Sequence, residues 1–332
     1  MEYRHLGNSG LKVSAVAYGN WLTHGSQIDE EQSILLVEKA LDLGITTFDT
    51  ADVYALGKAE EVLGNALKGI RRDSVEIFTK VYWPVGPSQN DRGLSRKHIL
   101  TSIDSSLKRL NTDYVDLYQA HRYDYETPIE EVVSAFDQVV RSGKALYIGV
   151  SEWRAEEIEA YLKVASNSNA ARIISNQPQY NILWRTIEEK VVKFSQKEGI
   201  GQIVWSPLAQ GVLTGKYRVG ESPPEDSRAN DPFGGNFLQS YLKESILQAV
   251  DDLKEISQEA GISLAKLSLA WVLNRVGVSS AIVGATKVEQ LEENVGAVGI
   301  TLGDDLLEQI DNAVRKVMVI DPEKTLSPKT RP

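Results

Sequence analysis

The 332-residue sequence contains no cysteine, which excludes disulfides, cysteine-ligated zinc and thiol nucleophiles. It has no apolar run near the roughly 20 residues that a bilayer-spanning helix needs. Residues 1–6 lack the apolar core of a signal peptide. Its 36 basic residues are outnumbered by 46 acidic ones, and a net charge of −10 argues against general nucleic-acid binding. We therefore expect a soluble cytoplasmic protein with neither a membrane nor a nucleic-acid partner.

Two nucleotide-binding motifs are also missing. No Gly-x-Gly-x-x-Gly follows any strand-like run, and no Gly-x-x-x-x-Gly-Lys-Ser/Thr occurs anywhere in the chain. A dinucleotide, if one binds, must therefore be held by something other than a Rossmann turn.

What the sequence does have is a regular alternation of short apolar runs and longer amphipathic segments. Strands are predicted at residues 15–18, 46–48, 76–79, 115–118, 145–149, 173–175, 201–205 and 280–283. Helices are predicted at residues 31–43, 59–67, 96–110, 129–140, 155–165, 187–196, 241–260, 264–274, 288–294 and 304–317. Eight such units favour a closed (β/α)8 TIM barrel, with an open α/β sheet as the alternative.

The length would allow two domains, but the pattern favours one barrel domain over residues 1–332. Residues 1–14 predict an N-terminal β-hairpin, and additional helices should lie on the barrel exterior. The segment 206–240 is a long rim loop after the seventh strand, and loops of this length are usually functional. Residues 318–332 predict a loosely ordered C-terminal tail.

Four polar residues lie at or just beyond the ends of predicted strands: Asp49, Tyr54, Lys80 and His121. In a parallel barrel these ends open on one rim, so the four side chains should converge there. An acid, a base and a cation without a thiol indicate proton transfer to a carbonyl oxygen. Each residue alone has an ordinary structural explanation, but all four together favour a site.

Basic residues also cluster after the seventh and eighth predicted strands, at Lys216, Arg228 and Lys287. Lys287 directly precedes a predicted helix, and a helix N-terminus favours a phosphate. This corner is the usual phosphate site of such barrels. The sequence therefore predicts that phosphates bind here.

Motifs in chain order give a more specific indication. They are Gly-Ile-Thr-Thr-Phe-Asp-Thr-Ala-Asp-Val-Tyr at 44–54, Phe-Thr-Lys at 78–80, Tyr-Val-Asp-Leu-Tyr-Gln-Ala-His at 114–121, Ile-Gly-Val-Ser at 148–151, Asn-Gln-Pro-Gln-Tyr-Asn at 176–181, and the segments 205–217 and 284–294. Together they span nearly the whole chain. The sequence resembles the aldo-keto reductase superfamily, and within it the branch of voltage-gated potassium channel β-subunits and related bacterial reductases.

The resemblance implies a catalytic tetrad. Tyr54 would donate a proton to the carbonyl, although a free phenol with a pKa of about 10 is a weak acid. Lys80 would lower that pKa by stabilising the phenolate, and Asp49 would hold Lys80 in place. His121 would hydrogen-bond the substrate oxygen. No metal is expected.

The resemblance also implies a nicotinamide cofactor, since no side chain supplies a hydride. NADPH is favoured, with NADH as the alternative, because Thr286 and Lys287 could engage a 2′-phosphate. The cofactor-binding positions that it implies are Gly19, Asn20, Trp21, Asp49, Ser151, Gln177, Trp205, Ser206, Pro207, Leu208, Gly211, Lys216, Arg228, Gly284, Thr286, Lys287, Gln290, Glu293 and Asn294. Glu152 follows Ser151 where asparagine is frequent, which places an acid near the expected carboxamide site.

An aromatic wall is predicted to select apolar aldehydes or ketones. Its candidate members are Trp21, Tyr82, Trp83, Trp153 and Trp184, and core packing explains them equally well. The function expected from the resemblance is NADPH-dependent reduction of a small carbonyl compound. The alternatives are a slow cofactor-loaded sensor or channel-regulatory subunit and, less favoured, a Schiff-base aldolase using Lys80. A homo-oligomer is compatible with either of the first two functions.

Overall fold

The computed structural model describes residues 1–225, 227–231 and 234–332. Asp226, Pro232 and Phe233, which belong to the predicted 206–240 loop, lie outside the described residues. The chain begins with an antiparallel hairpin of β1 (Tyr3–His5) and β2 (Lys12–Ser14).

Eight parallel strands then close into a barrel. In chain order they are β3 (Val16–Gly19), β4 (Thr47–Asp49), β5 (Glu76–Val81), β6 (Val115–Ala120), β7 (Ala145–Ser151), β8 (Ile173–Gln177), β9 (Gly201–Val204) and β10 (Val278–Val283). Each strand pairs with the next, and β10 closes the barrel against β3. The predicted TIM barrel is therefore confirmed, and the open sheet is wrong.

The hairpin closes the amino-terminal end of this barrel. Leu6 and Val13 are fully buried against side chains that point into the barrel, including Phe78 of β5 and Leu117 of β6. Gly7 has a φ of +58°, and a Cβ added there would lie 2.3 Å from the Gly199 carbonyl oxygen. This end is filled by apolar packing, and in barrels of this kind the site lies at the opposite, carboxyl-terminal end of the strands.

The strands are connected by helices on the outside. They are α1 (Glu30–Asp42), α2 (Lys58–Ala66), α3 (Arg96–Leu110), α4 (Ile129–Arg141), α5 (Ala155–Ser168), α6 (Lys193–Glu198), α7 (Gly234–Leu238), α8 (Glu244–Glu259), α9 (Leu264–Leu273), α10 (Val288–Val295) and α11 (Asp304–Val314). Their apolar faces pack on the barrel. In α4, for example, Val132, Val133, Phe136 and Val139 are buried at helical spacing.

The structure differs most from the predicted helices at two places, and α11 also ends at Val314 rather than at residue 317. The segment predicted as one helix over 187–196 begins with a π-helical turn, Glu188–Val192, before α6. The predicted helix 241–260 starts at Glu244, after a short 3₁₀ turn at Gln239–Tyr241. Among the described residues, no helix combines the length and apolar character needed to cross a bilayer.

The C-terminal tail contacts the barrel at two places. Val319 exchanges backbone hydrogen bonds with Leu183 (2.9 Å) and Arg185 (2.7 Å). Near the end, the Arg331 guanidinium pairs with the buried Asp124 carboxylate at 2.9 Å. The loose order expected for residues 318–332 stays a prediction, and these contacts are what would oppose it.

Candidate active site

The four predicted catalytic residues meet at the carboxyl-terminal rim. Asp49 is the last residue of β4, Lys80 lies near the end of β5, and His121 directly follows β6. Tyr54 begins a 3₁₀ turn, Tyr54–Gly57, that starts shortly after β4. Parallel register between β4 and β5 brings these strand ends side by side, which is why residues distant in sequence become neighbours.

The Lys80 ammonium is the centre of the group. It is fully buried, and its Nζ donates to Asp49 Oδ2 (2.6 Å), Thr50 O (2.8 Å) and Tyr54 Oη (3.1 Å). An ammonium has three N–H donors, and all three are used. Tyr54 Oη therefore accepts a hydrogen bond from Lys80, which leaves the phenol's own proton directed elsewhere.

The electrostatics keep both the lysine and the tyrosine protonated. Burial lowers the pKa of Lys80, but Asp49 and Tyr54 outweigh it and the net pKa is raised. Burial raises the pKa of Tyr54, and Lys80 opposes that shift without reversing it. Lys80 thus acts on the phenol in the expected direction, but burial is the larger effect and the net pKa of Tyr54 is raised.

His121 supplies a neutral imidazole to the same place. Burial, followed by the nearby Lys80 and Arg122 charges, holds its pKa well below the usual range. Its ring centroid lies 5.8 Å from that of Tyr54. Its Nδ1 is buried and has no hydrogen-bond partner among the described residues. A neutral imidazole beside a protonated phenol can hydrogen-bond one carbonyl oxygen together with it.

Three of the four residues, Asp49, Tyr54 and His121, line a large cavity of about 1830 Å³. Most of the predicted cofactor positions line it: Gly19, Trp21, Asp49, Ser151, Gln177, Trp205, Ser206, Pro207, Leu208, Gly211, Lys216, Arg228, Gly284, Thr286, Lys287, Gln290, Glu293 and Asn294. Ligand sites for drug-sized molecules are typically about 300–1,000 Å³, so this one has room for a dinucleotide and a second small molecule.

Asn20 is the exception among the predicted cofactor positions. Its side chain is buried and turned away from the cavity, where its Nδ2 donates to the Ala59 carbonyl at 3.0 Å. A buried amide needs such a partner, and this contact satisfies Nδ2, whereas Oδ1 has no hydrogen-bond partner among the described residues. Asn20 is not among the described residues that line the cavity, and its contact with the cofactor stays a prediction.

The predicted aromatic wall is also smaller than expected. Trp21 and Trp83 line the cavity. Tyr82 and Trp153 are instead fully buried in the hydrophobic core. Trp184, held by backbone pairing to Val319, is not among the described residues that line the cavity. An aromatic residue close to a strand end can either line the cavity or pack into the hydrophobic core, and sequence alone does not distinguish these two positions.

The end of the cavity beside β9 and β10 has the features of a phosphate site. Ser206, Gln210 and Gly211 all have positive φ, so the loop after β9 is tightly curved. Arg228 lines the cavity and hydrogen-bonds the Gln210 side chain. At the start of α10, the Thr286 backbone N–H donates to Gln290 Oε1 at 2.8 Å. Cationic side chains, a tightly curved loop and a helix N-terminus are together suited to bind the pyrophosphate of a dinucleotide.

The middle of the cavity is organised by amides and a carboxylate. Gln177 Nε2 donates to Asp49 Oδ1 at 2.8 Å, and Ser151 Oγ donates to the backbone carbonyl of Gln177 at 2.8 Å. Glu152 has a φ of +56° and accepts a 2.8 Å hydrogen bond from Trp205 Nε1. The Glu152 carboxylate therefore orients the indole, and Glu152 is not among the described residues that line the cavity.

Several cavity-lining residues were missed by the sequence reasoning. They include Arg122, Phe237 and the tail residues Leu326, Ser327 and Pro328. Arg122 could have been found, since it directly follows His121. The tail residues could not, because no pattern in their sequence indicates that the C-terminus returns to the rim.

Comparison with known proteins gives a consistent result. The sequence model of the aldo/keto reductase family matches residues 15–315. A "probable voltage-gated potassium channel subunit beta" of Arabidopsis thaliana is 41% identical over 320 residues, which cover 95% of this chain and 97% of that protein. The protein of the same description in Oryza sativa subsp. japonica is also 41% identical over the same shares. A "putative voltage-gated potassium channel subunit beta" of Schizosaccharomyces pombe is 44% identical, over 94% of this chain and 92% of that protein.

Proposed function

The chain belongs to the aldo/keto reductase family, and from that premise we propose that it reduces aldehydes or ketones to alcohols with NADPH, using Tyr54 as the proton donor. Proteins of this family are oxidoreductases that act on small carbonyl compounds with NAD(P)H. The observation that carries the proposal is the 3.1 Å contact of Lys80 Nζ with Tyr54 Oη, because it leaves the phenol's proton free for a ligand in the cavity.

The reacting carbonyl oxygen would lie between Tyr54 and His121. Both would hydrogen-bond it, which stabilises the negative charge that develops there as the carbonyl is reduced. NADPH, when bound, supplies the hydride to the carbonyl carbon. Tyr54 then passes its proton to the oxygen, and Lys80 stabilises the phenolate that remains. Asp49 keeps the ammonium charged and in place through the 2.6 Å contact.

The residues around the cavity also have defined roles in this proposal. Ser151 and Gln177 would hold the nicotinamide carboxamide, and Trp205 would pack near the pyrophosphate. The 206–240 loop would clasp the cofactor with Lys216 and Arg228. At the adenosine end, Gln290, Glu293 and Asn294 would contact ribose and adenine, while Thr286 and Lys287 would take the 2′-phosphate and so favour NADPH over NADH.

The test is steady-state reduction of a reactive aldehyde such as a nitrobenzaldehyde, followed by loss of the reduced-nicotinamide absorbance. Tyr54→Phe removes the proton and keeps the ring, so we expect kcat to fall roughly 10²–10⁴-fold, the usual contribution of a general acid. Cofactor affinity, from quenching of tryptophan fluorescence, should stay within about threefold. Tight cofactor binding by the wild-type protein without any turnover would contradict the proposal.

A second candidate function is supported by the comparisons themselves. The relatives above are named as potassium channel β-subunits, so the chain could act as a cofactor-loaded regulatory subunit with slow catalysis. This function predicts that cofactor stays bound through purification and that turnover is very slow even with reactive aldehydes. Rapid cofactor exchange and fast turnover would contradict it.

A further inference from the structure

Arg122 is a cation beside the proposed reacting centre that the proposed mechanism does not use. It directly follows His121, lines the cavity and lies with its guanidinium carbon 5.5 Å from the centre of the Trp83 ring. The Trp83 ring in turn lies 6.2 Å from the His121 ring. The Trp83 ring thus lies close to both the guanidinium and the imidazole, and the guanidinium is on the side of the cavity where the substrate would bind.

The protein supplies little to neutralise this charge. Arg122 Nη1 donates to the His121 carbonyl at 2.5 Å and makes a long 3.5 Å contact with Ser151 Oγ. Among the described residues it forms no salt bridge, and no hydrogen bond is made by Nε or Nη2. Burial lowers the pKa of Arg122, which the nearby Glu152 charge partly offsets.

Glu152 does not take the role of a counterion. Its carboxylate oxygen Oε1 accepts from Trp205 Nε1 at 2.8 Å and also from the Gln179 backbone N–H. It therefore stabilises the Arg122 charge without a direct contact, and Arg122 itself lines the cavity. A half-buried arginine whose Nε and Nη2 N–H groups are unused is suited to bidentate binding of a carboxylate.

The cofactor's phosphates are a poor match for this cation. The basic residues that fit a pyrophosphate or 2′-phosphate, Lys216, Arg228 and Lys287, lie after β9 and β10. Arg122 follows β6 and contacts Trp83, a residue of the loop after β5. Because Arg122 lies beside His121, an anionic group that binds it would belong to the carbonyl substrate rather than to the cofactor.

We propose that Arg122 binds a carboxylate of the substrate, so that the preferred substrates are aldehydes or ketones that carry an acid group about one aromatic ring away from the carbonyl. The inference rests on the proposed function and deepens it. It also changes the expected selectivity, because aromatic walls alone would favour apolar carbonyl compounds. Trp21 and Trp83 would pack on the body of such a substrate while Arg122 binds its charged end.

The test compares para-carboxybenzaldehyde with its methyl ester, which keeps the ring and the aldehyde but loses the charge. Initial rates at saturating NADPH give kcat/KM for each compound in the wild type, Arg122→Gln and Arg122→Lys. Hydrogen bonds to charged groups lead us to expect that Arg122→Gln lowers the acid-to-ester ratio of kcat/KM roughly 10- to 100-fold, mainly through KM. Arg122→Lys keeps the charge without the fork and should give an intermediate ratio.

Arg141→Gln is the matched control. Arg141 is an exposed arginine at the end of α4, where it pairs with Asp137 outside the barrel, so the acid-to-ester ratio should not change. The affinity for NADPH is measured on all variants by fluorescence quenching. An affinity within about twofold of wild type, together with the lowered ratio, supports the proposal.

An unchanged acid-to-ester ratio in Arg122→Gln would overturn the proposal, because the arginine then does not select the acid. If the ratio is unchanged because both substrates lose equally, Arg122 positions His121 instead. A fall in NADPH affinity that matches the fall in kcat/KM would also overturn the proposal and assign Arg122 to the cofactor. If wild type binds NADPH but reduces neither aldehyde, the proposed function fails separately. Binding of para-methylbenzoate to the NADPH-loaded protein, lost in Arg122→Gln, would then still support the anion site, and its absence in wild type would overturn it.

Discussion

Replacing Lys80 with methionine is the most informative single perturbation of the buried charge network. The ammonium is fully buried and donates to Asp49, Thr50 and Tyr54. Methionine has a similar volume, so packing is largely retained while the charge and three hydrogen bonds are lost. The change therefore separates the electrostatic role of the lysine from its bulk.

The loss of stability follows from the charge that is left behind. Removing one partner of a buried ion pair costs roughly 3–5 kcal/mol, because the other charge stays desolvated. Asp49 keeps the 2.8 Å hydrogen bond from Gln177, so we expect the lower end, about 3 kcal/mol, in urea-unfolding experiments. Lys80→Met combined with Asp49→Asn should recover part of this loss, since neither charge then remains.

The rate should fall for a related reason. Without the ammonium, the largest effect that opposes burial on the pKa of Tyr54 is lost, and the phenolate formed during the reaction loses its hydrogen-bond donor. We expect kcat to fall about 10²- to 10⁴-fold, with NADPH affinity much less affected. Lys144→Met is the control. Its lysine forms an exposed pair with Asp104, and such pairs contribute at most about 1 kcal/mol. A folded Lys80→Met protein with kcat within threefold of wild type would refute the reasoning.

Three further predictions concern other groups. Burial, and next the Glu60 charge, raises the pKa of Asp52 to about 8, so the folded state holds this proton more tightly than the unfolded chain. The stability of the wild type relative to Asp52→Asn should therefore fall as pH rises from about 4 to about 8, and parallel urea titrations that show no such trend would contradict this. His121 stays neutral, so kcat/KM should show no acid limb near pH 6.5, the usual imidazole pKa; a limb there that disappears in His121→Gln would show that the ring does titrate. Arg331→Met leaves Asp124 buried without its ion partner and should lower the free energy of unfolding by roughly 3 kcal/mol. KM should rise as well, because the tail lines the cavity; unchanged stability and KM would mean that the tail is held by other contacts.

Much of the fold was predictable because its determinants are periodic. Eight apolar runs separated by amphipathic helices indicate a barrel, and a parallel barrel places Asp49, Tyr54, Lys80 and His121 on one rim whatever their spacing in sequence. The same logic identified most of the residues that line the cavity. These conclusions need only strand ends, which sequence patterns locate to within a few residues.

Side-chain direction and long-range contacts were not predictable in this way. Tyr82 and Trp83 are adjacent, yet one is fully buried and the other lines the cavity. The Asn20 side chain turns away to bond Ala59, a contact that no local pattern indicates. The sign of the Tyr54 pKa shift depends on a balance between burial and the Lys80 charge, and only the assembled site gives both. The same is true of the tail, which is fixed by Asp124, about 200 residues earlier in the chain.

A single turnover with NADPH deuterated at the transferred position tests the central claim most directly. With a nitrobenzaldehyde bound to the loaded wild-type protein, the account predicts that deuterium appears on the carbinol carbon of the alcohol. In Tyr54→Phe the cofactor should bind as before, and the transfer should slow by at least about 100-fold, the lower bound for a lost general acid. Transfer at the same rate in both proteins, or a wild-type protein whose bound NADPH keeps its label, would contradict the account.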